Sequence, residues 1–550
     1  LDASPWEVIG SGRVEMDHNR PYSGEQSVRI ILPGDGTAAG IRQYGLGTLS
    51  GKQYIGRIVL SGDPAALPVM VRLKGPETIE VKVDEISPEF ESYEFGFASP
   101  FTSDSVILEI ASSGKGTFSI GTLSIMPGDH IRGWRKDVVD LMKELDSPVY
   151  RWPGGNFVSG YNWRDGIGER DRRPPRKNPA WKGVESNDVG IHEYMDLMDM
   201  LEAEPFIAVN TGLGTLEEVV EELEYVNGSP DSGWGKVRAE NGHPEPYGVK
   251  WWAVGNEMYG SWQLGHMPLS DYVKKHNSIA EAMWEVDPGA KLIGVGSLGE
   301  WSRTMLGESA DKMNLISEHI YCRELDSLQA HIGQIAEAVK RVADTHRVYR
   351  SEIPGLRERN IRIAMDEWNY WYGDYIYGEL GVRYHHKDAL GIARGLHEYF
   401  RNSDLFFMAN YAQTVNVIGC IKTTPTAVGF ATTAMPLILY RRHFGTVPVE
   451  VENSLPGLDI AAALSEDRSL LTLAVVNQGE RPAHFYADFG DTGISGNARK
   501  WVIRNDDPEA YNVPGEEPEV NIVGSEYTLR NNRIDIPAYA IMMLEFEVTR

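Results

Sequence analysis

Two glutamates stand directly behind short apolar runs that are typical of buried strands. Glu257 ends "VKWWAVGNE" (249–257), and Glu367 follows the apolar start of "IRIAMDEWN" (361–369). In a barrel of parallel strands the C-terminal strand ends open into one mouth, so groups there converge even when they are far apart in sequence. Two carboxylates that face each other across a pocket can split a glycosidic bond. Either glutamate alone could equally be an ion-pair partner at a barrel rim, so the inference depends on the pair.

Both glutamates have neighbours that suit a sugar. Trp251 and Trp252 precede Glu257, Trp368 and Trp371 follow Glu367, and each segment also contains an Asn. Sugar rings offer apolar C–H faces to aromatic rings and hydroxyls to Asn, Gln, Arg and His. The pattern therefore predicts a carbohydrate site.

Apolar runs that alternate with amphipathic helical stretches predict the strands that carry these residues. The candidate strands are 148–155, 205–210, 249–257, 291–297, 315–321, 361–369 and 405–413. No Gly-rich dinucleotide fingerprint follows an early strand, so a (β/α)8 TIM barrel is favoured over an open doubly wound sheet. We predict this α/β catalytic domain over residues 127–440.

Shorter alternating segments flank the predicted barrel. Residues 1–126 contain runs such as "QSVRIIL", and residues 441–550 contain runs such as "LTLAVVNQ", with turn residues between them. This pattern is typical of antiparallel β-sandwiches. We predict a β-sandwich at each end of the chain. The first resembles carbohydrate-binding jelly rolls, with Trp6, Tyr22 and Tyr44 as aromatics that could meet a sugar, and a structural insert is the alternative.

Composition excludes several classes of partner. The net charge of −26 disfavours nucleic acid and anionic membranes, and 42% hydrophobic residues indicate a globular chain. No apolar run reaches the roughly 18 residues that span a bilayer. Cys322 and Cys420 form no disulfide framework, no paired metal-ligand spacing occurs, and we predict neither metal nor cofactor. The basic stretch 169–179 is interpreted as a solvated loop; the compartment stays open, with cytoplasmic favoured over secreted.

Several motifs together resemble a known family. They are "YRWPGGNFVSGYNWRDGIG" (150–168), "GNEMYG" (255–260), "SEHIY" (317–321), "MDEWNYWY" (365–372) and "ANYAQTVNV" (409–417). In this order they resemble glycoside hydrolase family 51, the α-L-arabinofuranosidases. The resemblance covers the predicted barrel densely, and the concurrence of five motifs is more specific than any one of them.

The resemblance implies the roles of the two glutamates. Glu257 matches the general acid/base and Glu367 the nucleophile of a retaining mechanism, which needs carboxyl groups about 5 Å apart. We expect repulsion between the two carboxylates to raise the pKa of Glu257, which must begin the reaction protonated.

The resemblance also implies a substrate pocket. Asn256 matches the residue that binds the sugar 2-hydroxyl, and the other matching positions are Arg151, Asn156, His319, Tyr321, Trp371 and Gln413. Tyr321 could hold Glu367 ionised, and Trp371 could form a stacking wall. Alternatively, Arg151 could only hold the carboxylates at the barrel mouth in place. His319 could be a hydrogen-bonded histidine of the core, and Trp371 could only pack in the core.

These observations predict a retaining, exo-acting α-L-arabinofuranosidase that releases terminal arabinofuranose from arabinoxylan, arabinan or their oligosaccharides. An endo-β-1,4-glucanase or β-xylosidase of the same family is the first alternative, because the carboxylate pair is indifferent to the sugar ring. A non-catalytic carbohydrate-binding protein is the second. By resemblance a homo-trimer or homo-hexamer is possible.

The first barrel strand is a separate question. Residues 116–128 precede a helix and could complete eight strands, but the resemblance places an N-terminal sandwich between the first strand and its helix. We therefore predict that 116–128 closes the sandwich and that the first barrel strand, which carries a pocket Glu, lies upstream of residue 1.

Overall fold

The computed structural model describes residues 5–452 and 455–549. The N-terminal sandwich consists of two five-stranded antiparallel sheets, ordered β1-β4-β9-β6-β7 and β2-β3-β10-β5-β8. Alternating side chains from both sheets, such as Ile30, Ile58 and Val71, fill its core. Its strands are β1 (Trp6–Ile9), β2 (Arg13–Asp17), β3 (Ser27–Ile31), β4 (Ala39–Thr48), β5 (Gln53–Gly62), β6 (Val69–Lys74), β7 (Thr78–Val83), β8 (Glu91–Ala98), β9 (Ser103–Ser112) and β10 (Thr117–Pro127).

The central domain is a parallel, barrel-like sheet with surrounding helices. Small and branched side chains, among them Ala208, Ala253, Ile293 and Ala364, pack inside the sheet. Its strands are β11 (Val149–Trp152), the short pair β12 (Arg176–Lys177) and β13 (Val184–Glu185), β14 (Glu204–Ala208), β15 (Trp251–Ala253), β16 (Lys291–Gly294), β17 (Leu315–Cys322), β18 (Arg362–Tyr370), β19 (Phe406–Tyr411) and the hairpin β20 (Ile421–Thr423) and β21 (Val428–Phe430). Its helices are α1 (Lys136–Leu145), α2 (Ile191–Leu201), α3 (Leu216–Asn227), α4 (Gly233–Glu240), α5 (Leu269–Val286), α6 (Glu300–Glu308), α7 (Leu328–Glu352), α8 (Leu356–Arg359), α9 (His386–Arg401) and α10 (Ala434–His443).

The parallel sheet has seven strands in the order β11-β14-β15-β16-β17-β18-β19 within the described residues. All seven predicted strands are present, and β11 and β19, between which the predicted upstream strand would lie, do not pair with each other. Residues 117–127 form β10, which pairs antiparallel with β3 and β5. The prediction that this segment belongs to the sandwich is therefore confirmed, and the upstream strand stays a prediction.

The C-terminal sandwich contains a six-stranded sheet ordered β22-β23-β24-β29-β26-β27 and a pair formed by β25 and β28. Asp459 of the six-stranded sheet accepts hydrogen bonds from His397 (2.9 Å) and Arg394 (3.2 Å) of α9. These bonds hold the sandwich against the barrel. Its strands are β22 (Val447–Val449), β23 (Leu458–Leu464), β24 (Leu470–Asn477), β25 (Ala483–Tyr486), β26 (Gly493–Arg504), β27 (Ile522–Thr528), β28 (Arg533–Ile536) and β29 (Ala540–Thr549).

The basic stretch 169–179 joins the N-terminal sandwich to the barrel. Asp171 receives two hydrogen bonds from Arg57 of β5, at 2.5 and 2.6 Å. The Arg172 guanidinium lies 3.8 Å from the centre of the Tyr22 ring and donates to the Tyr22 carbonyl. The interpretation as a solvated loop is therefore wrong for the half-buried Asp171 and the buried Arg173. Other residues of the stretch are exposed, as predicted, among them Glu169, Arg172, Pro175, Arg176, Lys177 and Pro179. Tyr22 is buried in this contact and does not present a face to a sugar.

No helix in the described ranges combines the length and apolar character that crossing a membrane requires. Both cysteines are buried and unpaired.

Candidate active site

Glu257 lies in a tight turn at the end of β15. The backbone of Glu257 has a φ of 42°, in the left-handed region that side chains other than glycine rarely adopt. Gly255 before it has a φ of 102°, and a Cβ there would lie 2.0 Å from the Thr211 hydroxyl oxygen. Such strained backbone persists only where surrounding contacts impose it, and it is concentrated at functional sites.

Glu367 lies on β18 between two hydrogen-bond donors from other strands. Arg151 of β11 donates from Nη1 to Oε1 at 2.8 Å, and the Tyr321 hydroxyl of β17 donates to Oε2 at 2.7 Å. Arg151 Nη2 also donates to Asn256 Oδ1 at 2.5 Å. The Glu367 carboxylate is therefore fixed in orientation by one cation and one phenol.

Glu257 has a different set of partners. His319 Nδ1 lies 2.9 Å from its Oε1, the Tyr259 hydroxyl donates to Oε1 at 3.2 Å, and Trp262 Nε1 donates to Oε2 at 2.5 Å. The other ring nitrogen of His319 lies 3.0 Å from Asp366 Oδ1. A hydrogen-bonded chain thus runs from Glu257 through His319 to Asp366.

The two glutamates are close enough to act on one bond. One carboxylate oxygen of each and a His319 ring nitrogen all lie within 4.8 Å of one another. The side chains of Glu257 and Glu367 are only 13% and 10% exposed. Two largely buried carboxylates at this spacing, with separate partners, can perform different steps of one reaction.

The expected rise in the pKa of Glu257 is wrong for the free protein. Burial alone would raise the pKa of Glu257, but hydrogen bonds from His319, Trp262 and Tyr259 stabilise its charged form and bring the pKa below the usual value. Burial alone would lower the pKa of His319. The negative charges of Glu367 and Asp366 outweigh this effect and raise the pKa of His319 well above its usual value. These contacts therefore favour a charged His319 beside an ionised Glu257 over a protonated Glu257.

Of the other predicted site residues, Asn256 and Trp371 contact the central groups. Asn256 is buried and donates from Nδ2 to Gln263 Oε1 at 3.1 Å, and the Trp371 ring packs edge-on against Tyr321 at 5.0 Å. Asn156 lies in the short helix after β11, and Gln413 follows β19. Neither of these two side chains hydrogen-bonds the central residues within the described ranges.

Sequence reasoning missed several residues of the site. Asp366 precedes Glu367 in the quoted motif and bonds His319, and Gln263 links Asn256 to the Ser159 hydroxyl at 2.5 Å. Gly260 N donates to the Glu257 carbonyl at 2.7 Å and closes a tight turn. The chain therefore turns back and brings the Trp262 ring to the Glu257 carboxylate. The signal for Trp262 was the glycine three residues after Glu257, which permits such a turn.

Glu257, His319 and Glu367 could in principle hold a metal ion, since their ligand atoms converge. However, Arg151 and protonated His319 already place two positive groups against these carboxylates. A metal cation would have to displace or repel both groups. The donor set therefore fits acid–base chemistry better than metal binding.

Two family models match most of the barrel and the C-terminal sandwich. One is described as the α-L-arabinofuranosidase 1 domain and matches residues 141–340, and the other is described as the α-L-arabinofuranosidase C-terminal domain and matches residues 366–540.

Individual proteins give the same result. α-L-arabinofuranosidase C of Emericella nidulans is 31% identical over 454 residues, which cover 76% of this chain and 88% of the relative. An intracellular exo-α-(1→5)-L-arabinofuranosidase of Bifidobacterium longum is 37% identical over 259 residues, 44% of this chain and 45% of that protein. The arabinose complex of the α-L-arabinofuranosidase from Thermotoga maritima superposes with a TM-score of 0.70 at 32% identity, covering 76% of this chain and 90% of that one. The chain thus belongs to glycoside hydrolase family 51, the α-L-arabinofuranosidases.

Proposed function

We propose that the protein is a retaining, exo-acting α-L-arabinofuranosidase that releases terminal L-arabinofuranose from arabinoxylan, arabinan or their oligosaccharides. The observation that carries the proposal is the approach of the Glu257 and Glu367 carboxylates to within 4.8 Å. Retaining enzymes need carboxyl groups roughly 5–5.5 Å apart, whereas inverting enzymes need a wider gap for a water molecule.

In the first step Glu367 attacks the anomeric carbon while the bond to the leaving oxygen breaks. Arg151 and Tyr321 each donate a hydrogen bond to one oxygen of Glu367 and so orient the carboxylate for this attack. Glu257 protonates the departing oxygen, and a covalent arabinosyl–enzyme forms. In the second step Glu257 takes a proton from water, and the resulting hydroxide displaces Glu367 with net retention.

The proton for the first step is held by His319 in the free enzyme. It can pass to Glu257 along the hydrogen bond between His319 Nδ1 and Glu257 Oε1, which lie 2.9 Å apart. A bound sugar excludes water from the pocket, and a drier environment favours a neutral His–GluH pair over an ion pair. His319 therefore acts as a positioning and proton-holding residue, with its other nitrogen fixed by Asp366.

The other pocket residues are assigned contacts with the bound sugar. Asn256 is fixed by Arg151 and Gln263, and its remaining hydrogen-bonding capacity is directed at the sugar 2-hydroxyl. We assign the other contacts to Asn156, Trp371 and Gln413 at the rim. The B. longum relative, which its name describes as an exo-α-(1→5)-L-arabinofuranosidase, supports exo action.

The test is hydrolysis of aryl α-L-arabinofuranoside, aryl β-D-glucoside and aryl β-D-xyloside by the full chain. We expect turnover of the arabinofuranoside only, with α-arabinose as the first product by NMR. Preferential turnover of the glucoside or xyloside would replace the proposed specificity, and β-arabinose as the first product would exclude retention.

A change at Trp262 tests the control of Glu257. In Trp262→Phe the Nε1 hydrogen bond to Glu257 is lost, and since that bond favours the charged form, the pKa of Glu257 should rise. We expect the basic limb of the pH profile of kcat/KM, along which the general acid loses its proton, to move to higher pH by about one pH unit, the equivalent of roughly 1.4 kcal/mol.

Trp251→Phe is the matched control for this change. Trp251 Nε1 donates to Glu204 at 2.9 Å. Glu204 is the first residue of β14, so it lies at the end of the barrel opposite the active site. The control should leave the basic limb in place. An unmoved limb in Trp262→Phe, or an equal movement in both variants, would contradict the assignment.

A further inference from the structure

We propose that the cleft between the N-terminal sandwich and the barrel binds the main chain of the neutral pentose polymer from which arabinose is removed. This inference rests on the proposed function and adds a second carbohydrate site to it.

The cleft is formed by segments that are far apart in sequence. It has a volume of about 700 Å³ and is lined by the β4–β5 connection (45–52), residues 376–378 after β18, and residues 416 and 423–425 beyond β19. This volume lies within the roughly 300–1,000 Å³ that is usual for ligand pockets.

Two chain segments lead from the active-site residues into the cleft. After β18, Trp371 Nε1 donates to the Tyr375 hydroxyl at 3.2 Å, and the next residue, Ile376, already lines the cleft. After β19, Gln413 stands at the pocket rim and Asn416 lines the cleft. A polymer whose terminal sugar enters the pocket therefore has a path across these two loops into the cleft.

The lining suits an uncharged sugar chain. Leu46, Ile125 and the 52%-exposed Ile376 offer apolar surface for sugar C–H faces. The Tyr377 hydroxyl has no hydrogen-bond partner within the described ranges, which leaves it available to a sugar hydroxyl. The Thr424 hydroxyl oxygen accepts two backbone N–H groups, from Thr426 and Ala427, and donates to no described residue.

The charged residues of the cleft are already paired. Arg135 bonds Asp137 at 2.8 Å, and Lys52 lies 3.2 Å from Asp129. No unpaired charge is left in the described lining to select an anion or a cation. In a chain of net charge −26, this neutral surface favours an uncharged polymer.

The walls are held in place before a ligand binds. The buried Lys422 donates from Nζ to the Asn416 carbonyl at 2.9 Å and lies 5.6 Å from the centre of the Tyr377 ring. Thr426 of the β20–β21 hairpin donates to Asp104 of the sandwich at 2.5 Å. Both loops and the sandwich thus present a preformed surface, which lowers the entropic cost of binding a flexible chain.

The experiment compares polymer and small substrate in the full chain. The double variant Ile376→Ala/Tyr377→Phe removes the exposed apolar side chain and the free hydroxyl but keeps the ring beside Lys422. We expect kcat/KM on arabinoxylan or arabinan to fall about tenfold, while turnover of aryl α-L-arabinofuranoside stays within twofold of wild type. Val523→Ala, at a 63%-exposed position of the C-terminal sandwich, is the control and should change neither rate.

Binding measurements separate this proposal from the proposed function. In a Glu367→Ala background, the affinity for unsubstituted xylan and for linear arabinan is measured by calorimetry with and without the double variant. Loss of affinity for one of the polymers identifies the main chain, even if the wild type failed to hydrolyse the aryl arabinofuranoside. Unchanged affinity for both polymers, or equal losses on polymer and aryl substrate, would overturn the cleft site.

Discussion

Replacing Glu367 by Ala should lower turnover of every substrate by at least roughly 10⁴-fold, because no other group can form the covalent intermediate. Asp366, the residue before Glu367, is committed to His319 at 3.0 Å and to Ser317 at 2.6 Å. The measurement is kcat for an aryl α-L-arabinofuranoside with a good leaving group, before and after addition of azide. Azide that takes the vacated position should give a β-arabinosyl azide by a single inversion.

Glu367→Gln is the matched control for folding. It keeps the volume of the side chain and an oxygen for Arg151, yet it cannot act as the nucleophile. We expect an unfolding temperature close to that of the wild type and no turnover. Near wild-type rates in either variant would remove Glu367 from the role of nucleophile.

Replacing Glu257 by Ala should have an effect that depends on the leaving group. Arabinoxylan oligosaccharides need protonation of a poor leaving oxygen, so their turnover should fall about 10²–10⁴-fold, whereas an aryl substrate with an acidic phenol should form the intermediate almost normally. The measurement is the slope of log kcat/KM against the pKa of the leaving phenol, which should steepen.

Azide provides the second readout for the Glu257 variant. The anion needs no general base and enters on the face that the leaving group vacated, so it should restore turnover and give an α-arabinosyl azide. The two alanine variants should therefore yield azides of opposite configuration. The same anomer from both, or no rescue of the Glu257 variant, would contradict the division of roles.

The strands and the two glutamates could be predicted because their signal is local. A buried parallel strand is a short apolar run, and each of the seven runs forms a strand of the sheet. Because parallel strands end at one face, Glu257 and Glu367 had to converge once the runs were recognised. Arg151, His319 and Tyr321 were assigned to the site by the resemblance to the family, not by the strand pattern.

Contacts between distant segments could not be read in this way. The placement of the basic stretch 169–179 depends on Tyr22 and Arg57 of the sandwich, which lie more than a hundred residues earlier. A hydrophilic segment has the same composition whether it meets water or another domain. The prediction of a solvated loop failed for Asp171 and Arg173 for that reason, while most of the stretch is exposed.

The sequence by itself determined the barrel order, the flanking sandwiches and the identity of the two carboxylates, since these follow from periodicity and from residue types at strand ends. Only the tertiary structure decided which group holds the proton. His319 is flanked by Glu257, Glu367 and Asp366, and Glu257 receives hydrogen bonds from Tyr259 and Trp262. The pKa of a buried group depends on the sum of such contacts and on its loss of water, and both are set when separate strands pack together.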